Sequence, residues 1–139
     1  MDYSFPIWCL LMSYRDYIRK FKILLEEAEK DFINGCYNKT VSSLWFSIEA
    51  LIRAILIRTQ GWVPERTGKL ISVFGVFLKR KFPSEIYLIK DLSRLYVHRS
   101  NVDHGRKVYD KKTVQSLYIR AKNIISKLRN IAQRLNVQI

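Results

Sequence analysis

The sequence is poor in the residues that build metal centres and disulfide frameworks. Its 139 residues include two cysteines, Cys9 and Cys36, and two histidines, His98 and His104. The cysteines lack the CxxC spacing of metal and redox sites, and two histidines are too few to complete a ligand cluster. We therefore predict no metal and no cofactor, and we expect the two cysteines to be buried free thiols.

Long hydrophobic runs are also missing. The apolar stretch from Phe5 to Met12 has no basic segment before it and no small-residue cleavage site after it. It is much shorter than the roughly 20 residues that cross a membrane. We expect neither a signal peptide nor a membrane span, and hence a cytoplasmic protein with no membrane contact.

The chain has enough apolar material for a real core. Its composition is 48% hydrophobic and 27% charged, which is typical of a globular protein rather than a disordered one. No internal repeats, low-complexity segments or linkers interrupt it. We therefore predict a single helical domain over residues 1–139.

The hydrophobic spacing is helical nearly throughout, and no strand pattern competes with it. Stripes at this spacing run through 14–32, 41–56, 70–78, 86–96 and 114–135. Asn34-Gly35 and Gly61 are expected to end the first two helices, while Ser84 and Asp110 are expected to cap the last two. Wide stripes joined by short connections predict an all-α fold, an up-and-down four-helix bundle with one additional short helix.

Positive charge is concentrated in the second half of the chain. Residues 1–65 contain 8 Lys+Arg and 8 Asp+Glu, whereas residues 66–139 contain 17 and 4, so the formal charge of +13 lies entirely after residue 65. Such asymmetry favours a polyanion-binding face, with nucleic acid the commonest ligand. The alternative is a set of solvated basic helices whose charges do not converge.

Arg99 and His104 are the residue pair best suited to chemistry. Histidine titrates near neutral pH and arginine is a permanently charged fork that matches phosphate, so the pair could cut RNA without a metal. Residues five apart on a continuous helix are rotated by about 140°. The two can share a site only if the helix ends between them, and the polar residues before Gly105 favour such an end, with 98–109 as a loop.

Several neighbours have a second interpretation besides catalysis. Asp103 could orient the imidazole of His104 or simply make a turn-forming Asx bond. Glu49 and Arg53 are four residues apart, which indicates a structural ion pair first and support for Arg99 second. His98 adjoins the pair and is expected to line it or to face solvent.

The order of these elements resembles the HEPN domain (higher eukaryotes and prokaryotes nucleotide-binding), of the small prokaryotic Arg-x4-His type. The resemblance covers roughly residues 13–135, and the segment Ser47 to Leu56 is similar to the family's helix of small residues with a Glu. Arg99 and His104 match the two named positions of the family motif. Ser100 stands where the family usually has a polar residue.

The resemblance implies a homodimer whose two motifs meet in one cleft and, in active members, metal-independent endoribonuclease activity. Many small prokaryotic members are toxins paired with a minimal nucleotidyltransferase antitoxin, so such a partner is a candidate here. Toxins under this control commonly read Arg-x4-His-x-Tyr. In this sequence Arg106 occupies the Tyr position and the nearest tyrosine is Tyr109.

The sequence therefore predicts an RNA-binding HEPN-like endoribonuclease with Arg99 and His104 as catalytic residues. Ser100, Asp103 and Glu49 are the supporting residues. The predicted RNA-binding residues are Arg106, Lys107, Lys111 and Lys112. Two alternatives remain: a non-catalytic nucleotide- or nucleic-acid-binding module, and a structural bundle that acts as an adaptor for a partner protein.

Overall fold

The computed structural model describes residues 13–105 and 107–139, and all regular secondary structure in these two ranges is helical. The elements are α1 (Tyr14–Ile33), α2 (Tyr37–Gln60), α3 (Thr67–Lys81), a 3₁₀ turn (Pro83–Glu85), α4 (Leu88–His104) and α5 (Lys111–Arg134). The predicted all-α class is confirmed. With 15 residues, α3 extends beyond the predicted stripe at both ends and is almost as long as α4.

Most of the predicted helix ends are confirmed. Gly35 follows α1 with a φ of 76° and Gly61 follows α2 with a φ of 81°, a backbone conformation that glycine adopts without strain. Asp110 precedes α5, and its carboxylate accepts a hydrogen bond of 2.8 Å from the backbone N–H of Thr113. The turn chemistry read from the sequence thus sets where these helices begin and end.

Helix α2 is the centre of the bundle and contacts each of the other four helices. Its largest fully buried side chains are Trp45, Leu44, Ile48, Leu51, Ile52, Ile55 and Leu56. By length and composition α2 could cross a membrane, but 72% of its most apolar window is buried inside the bundle. Burial of this kind is what the core helix of a globular domain requires.

Helices α2 and α4 run antiparallel, which brings the end of α4 beside the start of α2. The rings of Trp45 and Tyr96 are 5.3 Å apart. Nearer the end of α4, the hydroxyl of Ser42 donates a hydrogen bond of 2.9 Å to Asp103. The Arg-x4-His segment therefore lies against the first turns of α2.

Two local predictions are wrong. Ser84 does not cap α4, because Pro83 starts a 3₁₀ turn in which the N–H of Glu85 donates to the carbonyl of Phe82 at 2.8 Å. The tighter turn changes the phase of the chain, so α4 begins at Leu88 and the predicted core residue Ile86 is 43% exposed.

The predicted burial of Cys36 is also wrong. Cys36 is exposed, because it lies in the connection between α1 and α2. Cys9 and the apolar stretch from Phe5 to Met12 lie outside the described residues.

Candidate functional site

The helix does not end between Arg99 and His104. Helix α4 continues to His104, and Gly105 ends it by donating its N–H to the carbonyl of Asn101 at 2.9 Å. A Cβ at Gly105 would lie only 2.3 Å from that oxygen, so the position requires glycine. Residues 98–104 of the predicted loop are therefore helical, and Arg99 and His104 are rotated by about 140° on one helix.

Arg99 is held against α2 by two contacts. Its Nε lies 2.7 Å from Oδ2 of Asp103 in an ion pair whose angle is not that of a hydrogen bond. Its guanidinium carbon lies 4.9 Å from the centre of the Phe46 ring. Neither Nη atom of Arg99 forms a hydrogen bond with a described residue.

Asp103 has a different role from either of those predicted. One carboxylate oxygen pairs with Arg99 and the other accepts the hydroxyl of Ser42. No hydrogen bond or ion pair joins Asp103 to His104 within residues 13–105 and 107–139. The carboxylate thus orients the arginine, and its two contacts favour helix over turn at this point of the chain.

His104 is exposed at the last turn of α4 and forms no hydrogen bond, ion pair or ring contact with a described residue. It shares the outward face of α4 with Ser93, Val97 and Ser100, the positions that follow at helical spacing. Val97 is 55% exposed, although it is a large apolar side chain. Ser100 is partly exposed on this face, and its hydroxyl forms no hydrogen bond with Arg99.

Glu49 does not support Arg99. It forms the predicted ion pair with Arg53, with 3.0 Å between Oε1 and Nη2, and both side chains are less than 15% exposed. Its carboxylate also accepts hydrogen bonds from Trp45 and Thr67. Because Arg53 donates to the carbonyls of Pro64 and Glu65, this network fastens the connection before α3 to α2.

A groove of about 600 Å³ lies next to Arg99, between α1, α2 and the end of α4. Its charged lining consists of the carboxylates of Glu27, Asp31 and Asp103 and the ammonium groups of Lys30 and Lys39. Within one protomer the space beside Arg99 is therefore not the basic cleft that the charge asymmetry suggests.

The predicted RNA-binding lysines lie beyond the end of α4. Lys107, Lys111 and Lys112 are exposed, and Arg106 lies outside the described residues. The backbone beside Lys107 is anchored by Asn38, whose amide donates to the Lys107 carbonyl and whose oxygen accepts the N–H of Tyr109 at 3.0 Å. Lys107 is thus carried by a connection fixed to α2, while Lys111 and Lys112 lie in the first turn of α5.

Most of the basic side chains in the second half have no ion-pair partner. The described part of 66–139 contains 16 Lys and Arg, namely the 17 of the sequence less Arg106. Among the ion pairs of the described residues, only that of Arg99 with Asp103 involves one of these 16. The positive charge is therefore largely available to a polyanion.

A cavity of about 240 Å³ lies between α4 and α5, and it was not predicted from the sequence. Its lining residues are Asp91, Arg94, Leu95 and His98 on α4, and Leu117, Arg120, Asn123, Ile124 and Lys127 on α5. On each helix the residues follow i, i+3, i+4, i+7 spacing. The sequence does show that basic residues flank the apolar stripe of both helices at helical spacing, and this pattern could have indicated the cavity.

His98 lies in this cavity and is held by Tyr109. Its Nδ1 is 2.8 Å from the hydroxyl of Tyr109, which is itself buried. Burial, followed by the positive charges of Lys107 and Arg120, lowers the pKa of His98 below its usual value of 6.5. The imidazole is therefore kept neutral at physiological pH.

Comparison with known proteins identifies the family. A model of the HEPN domain matches residues 14–131, which include all of α1 to α4 and most of α5. A search of curated proteins finds no significant match. Since the matched range covers far more than half of the chain and the fold is the expected helical bundle, this protein belongs to the HEPN domain family.

Proposed function

We propose that this protein binds RNA and cleaves it as a metal-independent endoribonuclease, with Arg99 and His104 in the active site of a homodimer. The observation that carries the proposal is the state of Arg99, whose Nε is paired with Asp103 while neither Nη group forms a hydrogen bond with a described residue. A guanidinium held in this way can grip a phosphate with two parallel N–H···O bonds.

The cleavage step needs two proton-transfer roles. The 2′-oxygen attacks phosphorus while a base takes its proton, and the bond to the 5′-oxygen breaks as an acid supplies a proton to that oxygen. The products are a 2′,3′-cyclic phosphate and a 5′-hydroxyl. One imidazole cannot be base and acid at once, so two copies of His104 are required, with Arg99 stabilising the charge on the phosphorane.

A two-fold dimer would supply the second histidine. The outward face of α4 carries the exposed Val97 and His104 together with the partly exposed Ser93 and Ser100, and no helix within residues 13–105 and 107–139 covers it. If two copies pair through this face, their His104 side chains lie on the shared surface. In such a dimer Arg99 lies about 140° around α4 from His104, so its guanidinium must reach the phosphate from the α2 side of the helix.

A role as the toxin of a toxin–antitoxin pair follows from this activity. An uncontrolled ribonuclease damages its own cell, so a small active member needs a partner, and a nucleotidyltransferase antitoxin is our candidate. Tyr109 is only 7% exposed and its hydroxyl is bonded to His98. We therefore propose that such a partner acts by binding the toxin rather than by modifying this tyrosine.

The second candidate is a non-catalytic nucleotide- or nucleic-acid-binding module. Two observations favour it: Asp103 already neutralises Arg99, and Arg99 and His104 lie on different faces of α4. In that case the basic second half would bind the ligand and neither residue would take part in a reaction.

Cleavage of RNA in the presence of EDTA separates the two candidates. For the ribonuclease, wild type is expected to remain active in EDTA, and His104→Ala to lose at least about 10²-fold in rate while keeping its RNA affinity. Arg99→Ala should lose both cleavage and binding. Arg19→Ala, at an exposed arginine on α1 outside the basic second half, is the matched control. Activity that survives in His104→Ala, or that requires Mg²⁺, would promote the non-catalytic module.

A further inference from the structure

The cavity between α4 and α5 combines an apolar base with a basic rim. Leu95, Leu117 and Ile124 are at most 5% exposed and form its base. Arg94, Arg120 and Lys127 line it with exposed side chains, one from α4 and two from α5. The cavity is separate from the groove beside Arg99 and from the outward face of α4.

The charges around this cavity are not balanced. Three cationic side chains face one carboxylate, that of Asp91. Neither Arg94 nor Arg120 has a hydrogen bond or ion pair with a described residue, whereas Lys127 is held by the hydroxyl and ring of Tyr87. Two guanidinium forks without partners, on facing helices, are an arrangement that an anion would stabilise.

Two neutral groups complete the lining. Asn123 lies on the same face of α5 as Arg120 and Lys127 and carries an amide that can donate hydrogen bonds. His98 uses Nδ1 for Tyr109, so its Nε2 has no described partner. The cavity thus offers guanidinium and amide donors around a positive centre.

We propose that this cavity binds a phosphate monoester, carried either by a free nucleotide or by the end of an RNA chain. Its volume of about 240 Å³ is below the roughly 300–1,000 Å³ of most ligand pockets, which suits a phosphate with its sugar rather than a larger molecule. Guanidinium forks match phosphate oxygens in pairs. By contrast, the larger groove beside Arg99 has three carboxylates and two lysines and would repel a dianion.

The cavity is independent of the proposed ribonuclease site, because neither Arg99 nor His104 lines it. The first experiment is calorimetric titration of wild type with AMP and with inorganic phosphate at constant ionic strength. AMP is expected to bind and adenosine, which lacks the phosphate, is not. Arg94→Gln and Arg120→Gln should each weaken AMP binding by about tenfold or more. Arg80→Gln removes the same charge on α3 and should stay within about twofold of wild type.

The two histidines give a second readout that needs no variant. AMP should shift the ring resonances of His98, which lines the cavity, and leave those of His104 unchanged. A shift confined to His104, equal binding of adenosine and AMP, or full affinity in both arginine variants would overturn the proposal.

Two short RNAs of one sequence, with and without a 5′-phosphate, distinguish the sources of the phosphate. A preference of about tenfold for the phosphorylated RNA that is lost in Arg120→Gln would assign the cavity to RNA ends. AMP binding without this preference would assign it to free nucleotides. If the protein neither binds AMP nor prefers the phosphorylated RNA, the proposed phosphate site is wrong, whatever the result of the cleavage assay.

Discussion

Arg99 and Asp103 form an ion pair across one turn of α4, with 2.7 Å between Nε and Oδ2. The same carboxylate accepts the hydroxyl of Ser42, so it links the arginine of the motif to α2. This pairing explains why the helix continues through a polar segment. It also turns Asp103 into the residue that sets the direction of the guanidinium.

Asp103→Asn should separate positioning of Arg99 from its charge. Without the ion pair the guanidinium is less well placed, so we expect RNA cleavage to fall by about tenfold or more. RNA affinity should stay equal or rise, because one negative charge is removed. The partly exposed pair contributes less than about 1 kcal/mol to stability, so the melting temperature should change little. Glu65→Gln is the charge-matched control, and unchanged cleavage in Asp103→Asn would contradict the role.

RNA binding should depend strongly on salt and on the basic residues after α4. Affinity is expected to fall by about 10²-fold or more between 50 and 200 mM salt, because several phosphates are contacted. The charge-reversal variants are R106E/K107E and K111E/K112E, with R19E/K20E on α1 as the control. The first two should bind RNA more weakly and the control should not. Equal losses in all three would show that the charge asymmetry is not a binding face.

Dimerisation should depend on the outward face of α4. Sedimentation at micromolar concentration is expected to give twice the 16.6 kDa mass of one chain. Val97→Glu places a charge in the proposed interface and should give the monomer. Val76→Glu, on α3, is the control, because Val76 is 60% exposed and Val97 55%. A wild-type protein that stays monomeric with RNA present would remove the composite active site.

The Glu49 network should contribute more to stability than the exposed ion pair of Glu26 and Lys30. Glu49→Gln leaves Arg53 largely buried without its counter-ion, so we expect a loss of about 2–3 kcal/mol in the free energy of unfolding. Glu26→Gln, where both side chains are at least 68% exposed, should cost less than about 0.5 kcal/mol. Urea denaturation measures both, and equal effects would contradict the assignment.

His98 should make the fold sensitive to mild acid. Because its pKa is lowered in the folded state, the unfolded chain binds more protons once the pH falls below about 6.5. The neutral form of His98 therefore contributes to the free energy of unfolding above about pH 6.5, and this contribution is lost progressively as the pH falls. Melting temperatures between pH 8 and 5 should fall more for wild type than for His98→Asn. Parallel curves would show that His98 titrates normally.

The sequence by itself determined the fold class, the family and most helix ends. Apolar residues at helical spacing must be buried against other helices, whatever the details of packing. Asp110, Gly35 and Gly61 act within one turn of backbone, so their effects can be read locally. The Glu49–Arg53 pair is local for the same reason, since residues four apart are neighbours on any helix.

Only the tertiary structure decided the continuity of α4 and the grouping of its side chains. Ser100, Asn101 and Asp103 favour a turn when read alone, but the carboxylate of Asp103 is satisfied by Arg99 and by Ser42, which lies 61 residues earlier. The cavity of Arg94, Arg120 and Lys127 depends equally on two helices facing each other. Contacts between residues distant in the chain are set by packing, so the pattern along one helix does not show which helix faces it.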